Sequence, residues 1–257
     1  MHPIRHPIHL VRRLTAALAT AVLLQGCESP AGPATPADAN VPDSKKAAYA
    51  PDLDPADFVA VVDNPYFPLI PGTTWRYESE EDGETEVTVT QVTSDTRTIL
   101  GIAATVVLDR VYVDGELAEW TLDWYAQDED GNVWYLGEET REYEDGEVVS
   151  TEGSWEAGVD GAQAGVIMWG DPAAHKGKSY RQEYYEGEAE DMGKVLQLDA
   201  KVEVPYGSFT GCLKTMDWTP LERGIREHKY YCPNVGLVLE VQPRGGRSRT
   251  ELVAIDR

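Results

Sequence analysis

Three observations predict a mainly β protein, a curved antiparallel β-meander or half-barrel of about eleven strands. Asp-Gly pairs recur at positions 82, 114, 130, 145 and 160, between runs of alternating apolar and polar residues. Asp-Gly in that setting is a strong hairpin signal, because a type I′ turn needs positive φ at both central residues. From 114 onward the pairs stand 16, 15 and 15 residues apart, the spacing of a meander with strands of moderate length. Helical periodicity is almost absent, and the chain carries 7 Trp and 13 Tyr, residues at home on a pleated, half-buried surface.

Residues 1–26 stand apart from that domain. Arg5, Arg12 and Arg13 form a basic n-region, and residues 14–24 are an apolar core too short to span a bilayer as a helix. The segment ends in Leu24-Gln25-Gly26-Cys27, which resembles a bacterial lipobox. The resemblance implies that 1–26 is a lipoprotein signal peptide. It also implies that Cys27 is the first mature residue, is acylated, and joins the protein to the membrane. Glu28, where Asp would signal inner-membrane retention in such proteins, favours the outer membrane of a cell envelope. Residues 27–56 are rich in Pro, Ala, Ser and Asp and do not alternate. Such a segment cannot bury enough apolar surface to offset its chain entropy, so it reads as a disordered tether. Residues 57–257 remain for a single β-rich domain, long enough to bury a sizeable core.

The chain has 22 Lys and Arg against 45 Asp and Glu, a formal charge of −23. Losing the three Arg of the leader would make it −26. A field of that sign repels nucleic acid and anionic headgroups alike, so no nucleic-acid partner is expected and the anchor must be the lipid.

Residues 64–72, NPYFPLIPG, form a Pro-punctuated lead-in that cannot be a central strand. Residues 73–79 then alternate, with Trp75 and Tyr77 on one face. Asp82-Gly83 turns the chain into 85–93, and 98–113 is one long run rich in Ile, Val and Leu. Asp114-Gly115 turns it back into 117–127. Residues 120–155 are the aromatic and acidic middle of the sheet. Residues 151–178 are Gly-rich and poorly periodic, and read as a long loop over an open end or as a crossover. A strand resumes at 179–186, and 189–198 is open between strand and short helix. Strands at 201–205, 211–218, 225–232, 237–242 and 249–255 complete the sheet, with a turn at 206–209.

Apart from Cys27, the cysteines are Cys212 and Cys232. Their midpoint, 222, falls inside the turn between 211–218 and 225–232, so the two lie opposite each other on a hairpin. Cross-strand Cβ atoms there are about 4.5–5.5 Å apart, and an exported protein meets an oxidising compartment, so a disulfide is expected.

Two stretches carry a family resemblance. Tyr66-Phe67-Pro68-Leu69, Pro71-Gly72-Thr73, Trp75 and Tyr77 resemble the opening of many exported bacterial proteins. Residues 204–209 (VPYGSF), 212–215 (CLKT), 229–231 (KYY) and 235–238 (VGLV) resemble their closing hairpins. The chain is thus similar to an uncharacterised family of exported bacterial lipoproteins, a domain of unknown function. In layout it resembles the half-barrels of lipoprotein carriers. That resemblance implies a curved antiparallel sheet and no activity. Arg223 and Cys232 depart from the Pro and Ala more usual there, and the second departure fits a disulfide particular to this branch.

No catalytic residue, metal ligand or cofactor emerges. A nucleophilic triad needs a His, and the mature chain has only His175, in the Gly-rich region, and His228, in a strand. Two His and no free thiol make a zinc site improbable. Asp128-Glu129-Asp130-Gly131-Asn132 resembles the start of a Ca²⁺ loop, but the acid that should close it is out of register and strands flank it, so it reads as a turn with a weak cation site as the alternative. Glu138, Glu139, Glu142, Glu144 and Asp145 read as a solvated strand face. The candidate ligand wall is aromatic: Trp120, Trp124, Trp134 and Tyr135 on neighbouring strands, with Trp120 and Trp124 sharing a face. A concave face of that kind would hold an apolar ligand or an envelope partner protein. The functional expectation is therefore a membrane-anchored lipoprotein, periplasmic or at the cell surface, that binds an apolar ligand or a partner protein. The alternatives are an envelope structural protein without a pocket and, weaker, a hydrolase of glycans or esters.

Overall fold

The structure is a computed structural model that describes residues 49–81, 84–244 and 248–257. Cys27, the signal segment and most of the expected tether lie outside the described residues. The packed chain nonetheless begins before residue 57: the Tyr49 hydroxyl donates to the Ala164 carbonyl at 2.9 Å, and Leu53 packs on the core.

Among the described residues the fold is almost wholly antiparallel β, in sixteen strands rather than about eleven. After a 3₁₀ turn at Pro55–Asp57 come β1 (Phe58–Val59), β2 (Thr74–Glu81), β3 (Glu84–Ile99), β4 (Ile102–Val113), β5 (Glu116–Asp128) and β6 (Val133–Glu144). Shorter strands follow: β7 (Glu147–Ser150), β8 (Trp155–Glu156), β9 (Gln163–Met168), β10 (Ser179–Arg181) and β11 (Glu183–Tyr184). The chain ends in β12 (Met192–Val204), β13 (Gly207–Trp218), β14 (Arg226–Cys232), β15 (Gly236–Arg244) and β16 (Arg249–Asp256).

Two meanders, β2 to β6 and β12 to β16, make the walls. They join where β16 pairs with β2, Leu252 opposite Tyr77. The free ends meet through one short segment. Within residues 179–184, β10 pairs with β12 while β11 pairs with β9, beside β6. The sheet therefore nearly closes into a barrel, which removes most of its exposed edges. Gly165 lies under this changeover: a Cβ there would collide with the backbone of Gln182 and Glu183.

Asp114-Gly115 and Asp145-Gly146 have positive φ at both residues, as their turns require, and close the β4–β5 and β6–β7 hairpins. The long run 98–113 is not one strand. Leu100-Gly101 turns it, with φ of 51° and 84°, and Ile99 faces Ile102 across the hairpin. A Leu in the left-handed region carries no turn signal in sequence. Residues 151–178 are likewise no mere loop, since β8 and β9 both pair with β6 and extend the wall. The ambiguous stretch near 189–198 is strand, the start of β12, and the turn expected at 206–209 sits at Pro205-Tyr206, because Val204 pairs with Gly207.

One end of the barrel is plugged by the lead-in. Phe67 stacks edge-on against Tyr125 at 5.1 Å and lies 6.3 Å from Tyr231. The plug is pinned to β5 by Gln127, whose Oε1 accepts from the Asp63 and Asn64 backbone amides while its Nε2 donates to Asp63. Hairpin 212–232 is closed by the Cys212–Cys232 disulfide, with Leu213 opposite Tyr231 and Cα atoms of the two cysteines 4.2 Å apart.

Candidate functional site

Strand register decides which side chains face the barrel interior. On β5 the inward residues are Glu119, Thr121, Asp123, Tyr125 and Gln127. Val107 and Asp109 of β4 lie opposite Asp123 and Thr121, and Glu138 and Thr140 of β6 flank the same pair. Thr88 and Thr90 of β3 and Trp75 and Tyr77 of β2 continue this face. The opposite wall contributes Thr215 and Asp217 from β13, Lys229 and Tyr231 from β14, and Glu240 and Gln242 from β15. The plug end is thus aromatic and the middle of the barrel is acidic.

These acids are deeply buried. Asp123 is 1% exposed and Glu138 2%, whereas Glu86 and Glu142, nearer the hairpin end, are half-buried. Exposure rises away from the plug, so the interior meets solvent at the hairpin end.

The β4–β6 wall holds its charge through hydroxyls. Thr90 Oγ1 donates to Asp109 at 2.5 Å, the Tyr135 hydroxyl donates to Asp123 at 2.6 Å, and Thr121 Oγ1 donates to Glu119 at 3.1 Å while sharing a 2.8 Å bond with Thr140. Burial pushes the Asp109 carboxyl up to about 6, against the pull of Thr90 and Arg110. Burial, and then Glu138 and Asp109, push the Asp123 carboxyl well above the ordinary range. The Tyr125 and Tyr135 rings stack beneath at 4.9 Å, and burial followed by Asp123 raises both phenols.

The β13–β15 wall contains an ammonium. Lys229 Nζ lies 3.5 Å from Asp217 and 3.7 Å from Glu240. Burial works against its charge, but Glu240 and Asp217 outweigh that and hold its pKa well above the usual value. Asp217 Oδ2 also accepts from Gln182 at 3.4 Å, while Oδ1, equally buried, makes no hydrogen bond. Burial and then Glu227 raise the Glu240 carboxyl despite Lys229.

The four aromatics read from sequence do not share one face. Trp120, Trp124 and Trp134 lie on the outer face of β5 and β6; Tyr135 points inward. Trp124 is buried beneath the Arg97 guanidinium, 4.0 Å above its ring, with Arg97 also bonded to Glu156. Trp120, half-buried, carries Arg141 at 4.8 Å. Trp134 donates to Asp128 at 2.8 Å. The other oxygen of Asp128 accepts the Asn132 amide, so the Ca²⁺-like segment is a turn whose first carboxylate serves its own chain. His175 stacks on Trp169 at 3.6 Å and His228 lies in β14 beside Lys214, each lowered chiefly by burial.

Sequence reasoning missed the acidic interior. Glu138, expected on a solvated strand face, is buried because the near-closed barrel turns that face inward, and Asp109, Glu119 and Asp123 were not singled out. Their signal was alternation itself: Glu119-x-Thr121-x-Asp123-x-Tyr125-x-Gln127 is polar at every second place, opposite Trp120-x-Leu122-x-Trp124-x-Ala126.

No family model and no curated protein matches the chain. Two solved structures are similar in layout. One is a protein of Bacteroides fragilis described as exported and of YmcC-like fold, 15% identical, TM-score 0.44, covering 74% of this chain and 98% of its own. The other is a protein of Parabacteroides distasonis described as a lipoprotein, 14% identical, TM-score 0.37, covering 75% and 99%. Likeness at this level supports no inference about what the present chain does.

Proposed function

We propose that the protein is an envelope-tethered binding module whose barrel interior receives a positively charged guest through its hairpin end. The observation that carries this reading is the acidic middle of the barrel. A barrel interior that served stability alone would be apolar, because each buried carboxylate costs free energy unless it is paired and hydrogen-bonded. Asp109, Asp123, Glu138, Asp217 and Glu240 are all buried there, and Lys229 lies beside two of them, Asp217 and Glu240. A cationic guest would neutralise that interior field, and the Phe67 plug would hold it from the far side. The leader and the Cys27 lipobox support attachment to the envelope, with the outer membrane favoured by Glu28.

The test is native mass spectrometry of the full chain extracted from membranes in mild detergent. A retained small cation that is lost on acidification supports the reading. A retained lipid supports the apolar-ligand alternative instead. A bare chain that no cation stabilises against heat at constant ionic strength refutes the module. A second reading, docking of an envelope partner protein on the outer face, rests on Trp120 and Arg141, which are only half-buried there.

A further inference from the structure

The barrel closes through a short seam. β11 pairs with β9 through two residues, Glu183 opposite Ala164 and Tyr184 opposite Gln163, while β10, which ends at Arg181, belongs to β12. So short a ladder contributes little local stability by itself. Tyr49 spans it. The Tyr49 hydroxyl donates to the Ala164 carbonyl on the β9 side at 2.9 Å, and the Tyr49 ring meets the Tyr184 ring on the β11 side edge-on at 5.9 Å. The Arg181 guanidinium lies over both rings, 5.6 Å from that of Tyr49 and 4.1 Å from that of Tyr184, with Glu190 3.8 Å away. Burial pushes the Tyr49 phenol up to about 12, against the pull of Arg181, so this donor keeps its proton at neutral pH.

From the seam the chain runs to β5, on the far side of β6. Leu53 packs on the core, a Cβ on Gly101 would come within 3.1 Å of Pro55, the Asp57 carbonyl accepts from the Glu129 amide at 2.8 Å, and β1 pairs with β5. The segment is thus fastened at the seam and again at β5. The seam also borders the acidic interior: Gln182, buried between β10 and β11, donates to Asp217, the acid beside Lys229.

We propose that residues 49–57 are a strap that latches the seam, with Tyr49 as its catch, and that displacing the strap opens the β9–β11 pairing beside Gln182 and Asp217. Tyr49 is the first described residue, where the tether expected from Cys27 enters the fold, so a pull on that tether reaches the catch first. Removing the catch takes away a hydrogen bond and an aromatic pair, and local opening becomes easier by their sum. The latch does not depend on what the interior receives, so its failure would leave the binding module standing.

The experiment is hydrogen–deuterium exchange with mass spectrometry on the full chain in detergent at pH 7.5. Tyr49→Ala is expected to speed exchange at 163–165 and 182–185 about tenfold or more, with 237–241 of β15 unchanged. Tyr49→Phe keeps the ring against Tyr184 and removes the hydroxyl, and is expected to fall between wild type and Tyr49→Ala. Unchanged exchange at the seam in Tyr49→Ala overturns the strap. Acceleration at 237–241 equal to that at the seam overturns it as well, because Tyr49 would then support the whole fold and not the closure.

Discussion

Replacing Asp109 by Asn removes one buried negative charge and keeps an oxygen that can accept the Thr90 hydroxyl. The carboxyl's folded-state pKa is about 6 against 3.8 unfolded, chiefly through burial. The folded state therefore binds more protons between about pH 4 and 6, and stability falls as pH rises through that window. Two units correspond to about 3 kcal/mol, at about 1.36 kcal/mol per unit. Asp123 faces Asp109 from β5 and Tyr77 from β2, each coupled unfavourably to its charge, while Thr90 on β3 and Arg110 on β4 favour ionisation without offsetting burial. D109N should therefore be more stable than wild type by up to about 3 kcal/mol at pH 7.5, the advantage vanishing near pH 4. For a domain of this size that is a rise of roughly 6–12 °C in melting temperature. Urea denaturation of both proteins at the two pH values measures it. A variant less stable than wild type at pH 7.5 would refute the reasoning, because the Asp109 carboxylate would then be stabilised rather than strained in its place.

Lys229→Met leaves Asp217 and Glu240 without their ammonium and should cost about 3–5 kcal/mol at pH 7.5; added butylammonium should restore part of the melting temperature, and a loss below about 1 kcal/mol would mean that the two acids do not depend on Lys229. Cys212→Ser with Cys232→Ser opens a loop with a sequence separation of 20 and should cost about 3 kcal/mol, read by guanidinium denaturation with and without reductant. Gly165→Ala should loosen the barrel's closure, costing about 1–3 kcal/mol, with faster amide exchange at 182–184; unchanged protection there would mean that the changeover accommodates a Cβ.

The strand pattern was legible where local chemistry enforces it. Asp114-Gly115 and Asp145-Gly146 turn as their φ preferences demand, and Cys212 meets Cys232 because hairpin register is symmetric about its turn. Leu100-Gly101 was illegible because a Leu at positive φ is held by its surroundings and not by its own preference. The strand read at 179–186 divides into β10 and β11, while β8 and β9 form where β6 offers an unpaired edge.

The same division runs through the candidate site. The sequence by itself determined that Glu119, Thr121, Asp123 and Tyr125 share one face and that Trp120 and Trp124 share the other, since side chains alternate along any strand. Which face is inside it left open. A sheet's curvature and closure come from pairings between residues far apart in the chain, here β16 with β2 and the 179–184 segment with both β12 and β9. Those pairings turned the acidic face inward and Trp120 and Trp124 outward, and only they set Asp109 and Asp123 on one wall of the barrel and Lys229 on the other.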